Sequence, residues 1–197
     1  MNYLSIDTSS NICSVTISID TEIITLEETN VKEHSKFLPI FCKELLKDRI
    51  RQIEFIALSI GPGSYAGLKT SSSYAKGLAY SLNIPIIPVY TFDGMNYSIK
   101  SDQKYFIALY SHRDYAFYQL YNSKGPIKEK YCDKISNMKK YNIYGYGFNN
   151  DLLEDLKYIE VIPCSENIGM IANEKINNLS IPDVNDINPI LLSMENK

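Results

Sequence analysis

The chain of 197 residues has no tryptophan, two histidines and four cysteines, and each scarcity narrows the chemistry. His34 and His112 stand in no HxxxH or HExxH pattern, so the helical imidazole pair that holds zinc or iron is missing from the sequence. Cys13, Cys42, Cys132 and Cys164 form no CxxC pair. Scattered thiols without a framework fit a reducing cytoplasm, where they act as small apolar residues. Positive charge is not in excess: 20 Lys and Arg stand against 23 Asp and Glu, a formal net charge of -3. Stand-alone nucleic-acid binding is therefore not the first reading, although a local basic patch on the folded surface stays open. No apolar run approaches the ~20 residues of a membrane span, and the N-terminus lacks a charged start leading into a long apolar stretch. The expectation is a cytoplasmic protein without a membrane partner.

What is present is an ordinary globular composition, 45% hydrophobic and 22% charged, long enough for one large domain or two small ones. "NYLSID", "ICSVTISI" and "EIITLEETN" read as a meander of three antiparallel strands. Glu33 to Lys47 reads as a helix, with Phe37, Leu38, Phe41, Leu45 and Leu46 on one face, Ser35 as its cap and Pro39 forcing a kink or a late start. "FIALSI" is a central buried strand. A Gly61-Pro62-Gly63 turn follows, then a helix to about Asn83, the strand "IPIIPV" and a short helix capped by Thr91. The polar "SIKSDQK" marks a boundary near residue 100, giving lobes over 1–100 and 101–197. The second half repeats strands, a helix near Asn150 to Leu156, the strand "YIEVIP" and a last helix over Ser165 to Asn178. The repeated order hints at a duplicated α/β unit with mixed sheets.

"GPGSYAGLKTSSSYAKGLA" invites a catalytic reading, and its spacing defeats two of them. A phosphate loop of the G-x-x-x-x-G-K-[ST] type fails, because Gly67 is followed by Leu68 before Lys69 and Thr70. A G-x-S-x-G elbow fails, because Pro62 and Ala66 flank Ser64 where glycines should be. The helix carries small residues on several faces, which lets another backbone approach closely: Leu68, Ser72, Ala75 and Ala79 share one side, and Lys69, Ser73, Lys76 and Tyr80 a more polar one. Its start could also attract an anion. Asp7-Thr8-Ser9 after the first strand is either a self-bonding polar turn or a phosphate grip that lacks its glycine.

"SIDTSSNICSVTI", "EHSKFLPIFCKELL", "FIALSIGPGSYAGLKTSSSYAKGLA" and "IPIIPVYTFDGM" occur in order and at a spacing that resembles the TsaB family, bacterial tRNA threonylcarbamoyladenosine biosynthesis proteins also called YeaZ. The resemblance covers roughly the first 95 residues. It implies a two-lobed α/β protein of the actin-like, ribonuclease H-like ATPase (ASKHA) fold. It implies a non-catalytic subunit with no cofactor of its own, which binds and stabilises a TsaD-like catalytic paralogue; a TsaE-like ATPase joins them, and ATP and metal belong to the partners. The tRNA, modified at adenosine 37, is met only through the complex, and a homodimer is an alternative assembly. The interface expected from the resemblance comprises His34, Phe37, Leu38, Phe41, Gly61, Pro62, Gly63, Ser64, Tyr65, Gly67, Leu68, Lys69, Ser72, Ala75 and Ala79. Asp7, Thr8 and Ser9 would be a vestigial nucleotide site, and no residue is catalytic or a metal ligand. Lys69 stands where the family has Arg, and Asn188-Pro189-Ile190-Leu191-Leu192 replaces an ending with Tyr and Arg. The rival is a free-standing ATPase or sugar kinase of the same fold, whose second phosphate loop would have to be at Gly145 and Gly147; a peptidase would need the missing HxxxH.

Overall fold

Apolar and β-branched residues alternate through Tyr3–Asp7, Cys13–Ile19 and Glu22–Glu28. In the computed structural model, which describes residues 1–153, 156–178, 182–190 and 192, these become strands β1, β2 and β3 of an antiparallel meander. Helix α1 (His34–Leu46), strand β4 (Phe55–Ser59), helix α2 (Tyr65–Leu82), strand β5 (Ile86–Val89) and the short helix α3 (Thr91–Asn96) follow. β4 pairs in parallel with β1 and β5, so the first sheet runs β3-β2-β1-β4-β5. Every residue of β4 is buried, as its unbroken apolar run predicts for a strand covered on both faces.

The two-residue period of a strand sends neighbouring side chains to opposite faces. Leu4, Ile6, Val15, Ile17, Ile56 and Leu58 meet Leu38, Cys42 and Leu45 of α1 and Ala75 and Ala79 of α2 in one core. Burial pushes the Cys13 and Cys42 thiols up to about 12, so both stay protonated and pack as apolar groups. Tyr3, Phe55, Ala57, Ile87 and Val89 face the other way, under Ile168, Ile171 and Ala172 of helix α4 (Ser165–Lys175). A chain of hydroxyls ties α4 to the sheet on that face. Ser165 Oγ lies 2.8 Å from Ser14 Oγ and 2.7 Å from Thr16 Oγ1, and Thr16 Oγ1 is 2.7 Å from Thr25 Oγ1.

The placement of α4 changes the expected division at residues 100 and 101. One compact unit comprises Met1–Gly94 and Pro163–Ile190, the other Met95–Ile162 and Leu191–Lys197. The break falls close to the polar segment, but the last helix returns to the first sheet instead of belonging to the second lobe. α1 and α2 cover only one face of that sheet; the Tyr3, Phe55 and Ile87 face needs an apolar lid of its own.

The second unit contains strands β6 (Tyr105–His112), β7 (Tyr115–Asn122), β8 (Gly125–Pro126), β9 (Tyr131–Lys134), β10 (Asn142–Tyr146) and β11 (Tyr158–Glu160). Its order is β11-β10-β6-β7-β8, with β9 also on β7; β6 and β7 are antiparallel, while β10 is parallel to β6 and β11. The order of the first sheet, meander then parallel strands, thus recurs, as the repeated element order suggests. Phe106, Ala108, Ala116, Tyr118, Leu120, Ile135, Met138 and Ile143 form its core. Three local expectations differ. Glu33, not Ser35, occupies the cap position of α1, with no side-chain bond, and Pro39 lies inside the helix. The helix expected over Asn150 to Leu156 is a 3-10 turn at Asn150–Leu152, and residues 154 and 155 of that stretch lie outside the described residues. Of the segment Asn188 to Leu192, Leu191 also lies outside them.

Candidate functional site

The turn between β4 and α2 is bonded on every side. Thr91 N–H donates to Gly61 O at 2.9 Å, Ile190 N–H to Ile60 O at 2.7 Å and Ser64 N–H to Ser9 O at 2.7 Å. Ser64 caps α2, its hydroxyl accepting from Gly67 N–H at 3.3 Å. Against this turn lies the loop after β1. Asp7 Oδ1 accepts from Ser9 N–H at 2.8 Å, and Thr8 Oγ1 donates to Gly67 O at 2.9 Å. The glycines make the approach possible: a Cβ at Gly63 would run into the Ser9 carbonyl, and one at Gly67 into the Thr8 carbonyl.

Asp7, Thr8 and Ser9 are all buried, and the turn and helix start pack closely against the carbonyls of the loop. At the helix start Gly67 N–H goes to the Ser64 hydroxyl, and Ser64 N–H, at the cap, goes to Ser9 O. The loop bonds to itself and to the turn, as a self-bonding polar turn does. Burial pushes the Asp7 carboxyl above its usual range, only partly offset by the nearby Ser9 and Ser59 hydroxyls, and Oδ2 has no hydrogen-bond partner. His34 Nε2 lies 3.1 Å from Ser10 O, which sets that nitrogen as the protonated one; burial lowers its pKa and keeps the ring neutral. His34 therefore staples α1 to the loop.

The residues of the expected interface differ in exposure. Leu38, Leu68, Ala75 and Ala79 lie in the core, and His34, Gly61, Pro62, Gly67 and Ser72 are also enclosed by their own unit. Gly63 and Ser64 are half-buried in the turn. Small residues on that side of α2 serve close packing on the sheet. Of the expected residues, Tyr65 and Lys69 are exposed and Phe37 and Phe41 half-buried. The open face includes residues that the sequence reading did not assign to it: Ile40 at 52% exposure, Tyr80 at 89%, and between the aromatics the small residues Ala66, Ser73 and Gly77. A Cβ at Gly77 would meet nothing within 4 Å. Lys69 Nζ sits 5.6 Å from the Tyr65 ring centroid, and Phe37 and Phe41 pair at 6.0 Å. The signal was the more polar side of the helical wheel, Lys69, Ser73, Lys76 and Tyr80, of which Lys69, Ser73 and Tyr80 are exposed.

In the second unit, Gly145 is a strand residue, its carbonyl accepting from Tyr158 OH at 2.9 Å and Val161 N–H at 2.8 Å, while Gly147 follows the strand with φ +86°. Among the described residues no three of His, Cys, Asp and Glu are gathered to hold a metal ion, and no helix is long and apolar enough to cross a membrane.

A family model described as "TsaD: tRNA N6-adenosine threonylcarbamoyltransferase" matches residues 26–158. A Buchnera aphidicola (subsp. Acyrthosiphon pisum) protein, "tRNA threonylcarbamoyladenosine biosynthesis protein TsaB", is 27% identical over 98% of this chain and 90% of its own. The TsaB protein of B. aphidicola subsp. Schizaphis graminum is 38% identical over 45% of this chain and 43% of its own. A crystal structure from Pseudomonas aeruginosa, described as an uncharacterized protein with similarity to peptidase YEAZ, superposes with a TM-score of 0.82 at 17% identity, covering 98% of this chain and 99% of that one.

Proposed function

The chain belongs to the family described as TsaD, tRNA N6-adenosine threonylcarbamoyltransferase, and within it is of the TsaB/YeaZ kind with the actin-like ASKHA fold; on that premise we propose that it acts in tRNA threonylcarbamoyladenosine biosynthesis as a non-catalytic subunit that binds and stabilises a TsaD-type catalytic paralogue. The observation that carries this reading is the open α1–α2 face. Tyr65 and Tyr80 are exposed on α2 together with Ala66, Ser73 and Gly77, and Ile40 is exposed on α1. Exposed tyrosines bordering a small-residue track fit a helix laid across α2: the small residues admit its backbone and the rings supply buried area. A second copy could use the same face. ATP, metal and a TsaE-type ATPase enter through the partners.

Co-purification and gel filtration with the catalytic paralogue test the proposal. Ser73→Arg, in the middle of the track, and Tyr80→Ala, at its rim, are expected to weaken assembly by about 1–3 kcal/mol, roughly fivefold to 150-fold in Kd, with the monomer still folded. Assembly of Ser73→Arg at wild-type affinity would sink the docking face. Ala75 is unsuitable as a probe, because it lies fully buried in the chain's own core.

A further inference from the structure

Parallel strands bring equivalent ends together, and in the second sheet β11, β10 and β6 lie side by side in that order. Each is immediately preceded by lysine or by a short lysine segment: Lys157 before Tyr158, Lys139 and Lys140 shortly before Asn142, and Lys104 before Tyr105. Register confirms that these starts are level. Tyr105 is opposite Asn142, Ile143 is opposite Tyr158, and Ile143 N–H donates to Lys157 O at 2.7 Å. With strands ~4.8 Å apart, the four lysines border one depression about two strand spacings wide. That depression is a cavity of about 530 Å³ lined by Lys104, Lys139, Lys140 and Lys157 together with Tyr141 and Asn142. All four lysines are exposed, and no acidic side chain is among the described lining residues; Asp102, two residues before Lys104, does not line it. In a chain of net charge -3, the described lining of this end gathers four lysines and no carboxylate.

We infer that this lysine-lined end of the second sheet binds the phosphodiester backbone of RNA. The donors decide between a polymer and a small phosphate ligand. Lysines are mobile point charges spread across three strands; the cavity has no arginine fork and no glycine-rich loop, the usual devices for clasping one compact phosphate group. Dispersed lysines suit successive phosphates along a backbone, contacts that hold a nucleic acid without reading its sequence. The choice of RNA among polyanions rests on the proposed role in tRNA modification.

The test is a fluorescence-anisotropy titration of a labelled RNA stem-loop with the full chain at several salt concentrations. Four phosphate contacts predict a slope of log affinity against log salt of about -3 to -4, so binding should weaken roughly 60- to 250-fold between 50 and 200 mM salt. The variant K104A/K139A/K140A/K157A should lose at least tenfold in affinity at 50 mM and most of the slope. The charge-matched K32A/K43A/K124A/K134A, at exposed lysines elsewhere, should lose little. Absence of wild-type binding at 50 mM, equal loss in both variants, or an unchanged quadruple variant overturns the inference. Full displacement of the stem-loop by equimolar inorganic pyrophosphate also overturns it, in favour of a small-ligand site. Co-purification with the catalytic paralogue reports the docking face separately. If the wild type fails to recruit the paralogue yet titrates RNA as stated, the docking reading falls and the lysine site stands; recruitment without RNA binding means the reverse.

Discussion

Replacing Gly77 with alanine, and separately Gly67, adds the same methyl group to one helix with opposite expected signs. Gly77 is exposed and its new Cβ meets nothing within 4 Å. Alanine there should stabilise the chain by about 0.5–1 kcal/mol through backbone entropy and helix propensity. Gly67 gains the same propensity, but its Cβ would run into the Thr8 carbonyl and lie 3.2 Å from His34 Cδ2 and Nε2. A backbone carbonyl cannot rotate aside as a side chain can. Relief requires the Asp7–Ser9 loop to move, which also strains the Thr8–Gly67 bond at 2.9 Å. Overpacking of about 1–3 kcal/mol plus a weakened hydrogen bond of about 1 kcal/mol exceeds the propensity gain, leaving a net loss of about 1–3 kcal/mol. Urea unfolding followed by far-UV ellipticity measures both variants against the wild type. Gly67→Ala at or above wild-type stability would refute the close packing of α2 on the Asp7–Ser9 loop. Gly77→Ala below wild-type stability would refute the open face of α2.

Asp7 gives a pH signature. Its folded-state pKa is raised by burial, so the native state holds the proton more tightly than the unfolded chain, and stability declines as pH rises from the ordinary value near 3.8 through the raised one. Asp7→Asn, which cannot ionise, should therefore improve relative to wild type between pH 4 and pH 7 in urea midpoints; a pH-independent difference would show that Asp7 is ionised in the fold. His34, with its pKa lowered by burial, works in the opposite direction, costing stability as pH falls below 6.5, and remains in both proteins. Ser165→Ala removes the hydroxyl that both Ser14 and Thr16 meet on the α4 face. A loss of about 1–3 kcal/mol is expected in the same assay; no loss would mean that water replaces it freely.

Most of the first sheet was legible in the chain because each element carries its own period: alternation in β1 and β2, an unbroken apolar run in β4, helical spacing in α1 and α2. The Gly61–Ser64 turn was legible as a sharp strand-to-helix corner, and its failure to match a phosphate loop followed from spacing alone. Cap and helix ends were less legible. Glu33 starts α1 without a side-chain bond, and Asn150–Leu152 form a 3-10 turn, because local propensity there yields to what the core can cover.

Tertiary structure alone decided three things. Ala75 and Ala79 look like a partner's track on a helical wheel, yet they are small because the sheet lies against them; the outward track, Ala66, Ser73 and Gly77, is the other side of the same helix. Helix α4 follows the second lobe in sequence but covers the first sheet, since a wheel shows that a helix has an apolar face and not which sheet lacks a lid. Lys104, Lys139, Lys140 and Lys157 are scattered over more than fifty positions of an acidic chain, and only parallel pairing of three strands gathers them at one end. Periodicity is a property of neighbours along the chain and can be read there, whereas burial and charge density belong to neighbours in space, which the order of residues does not record.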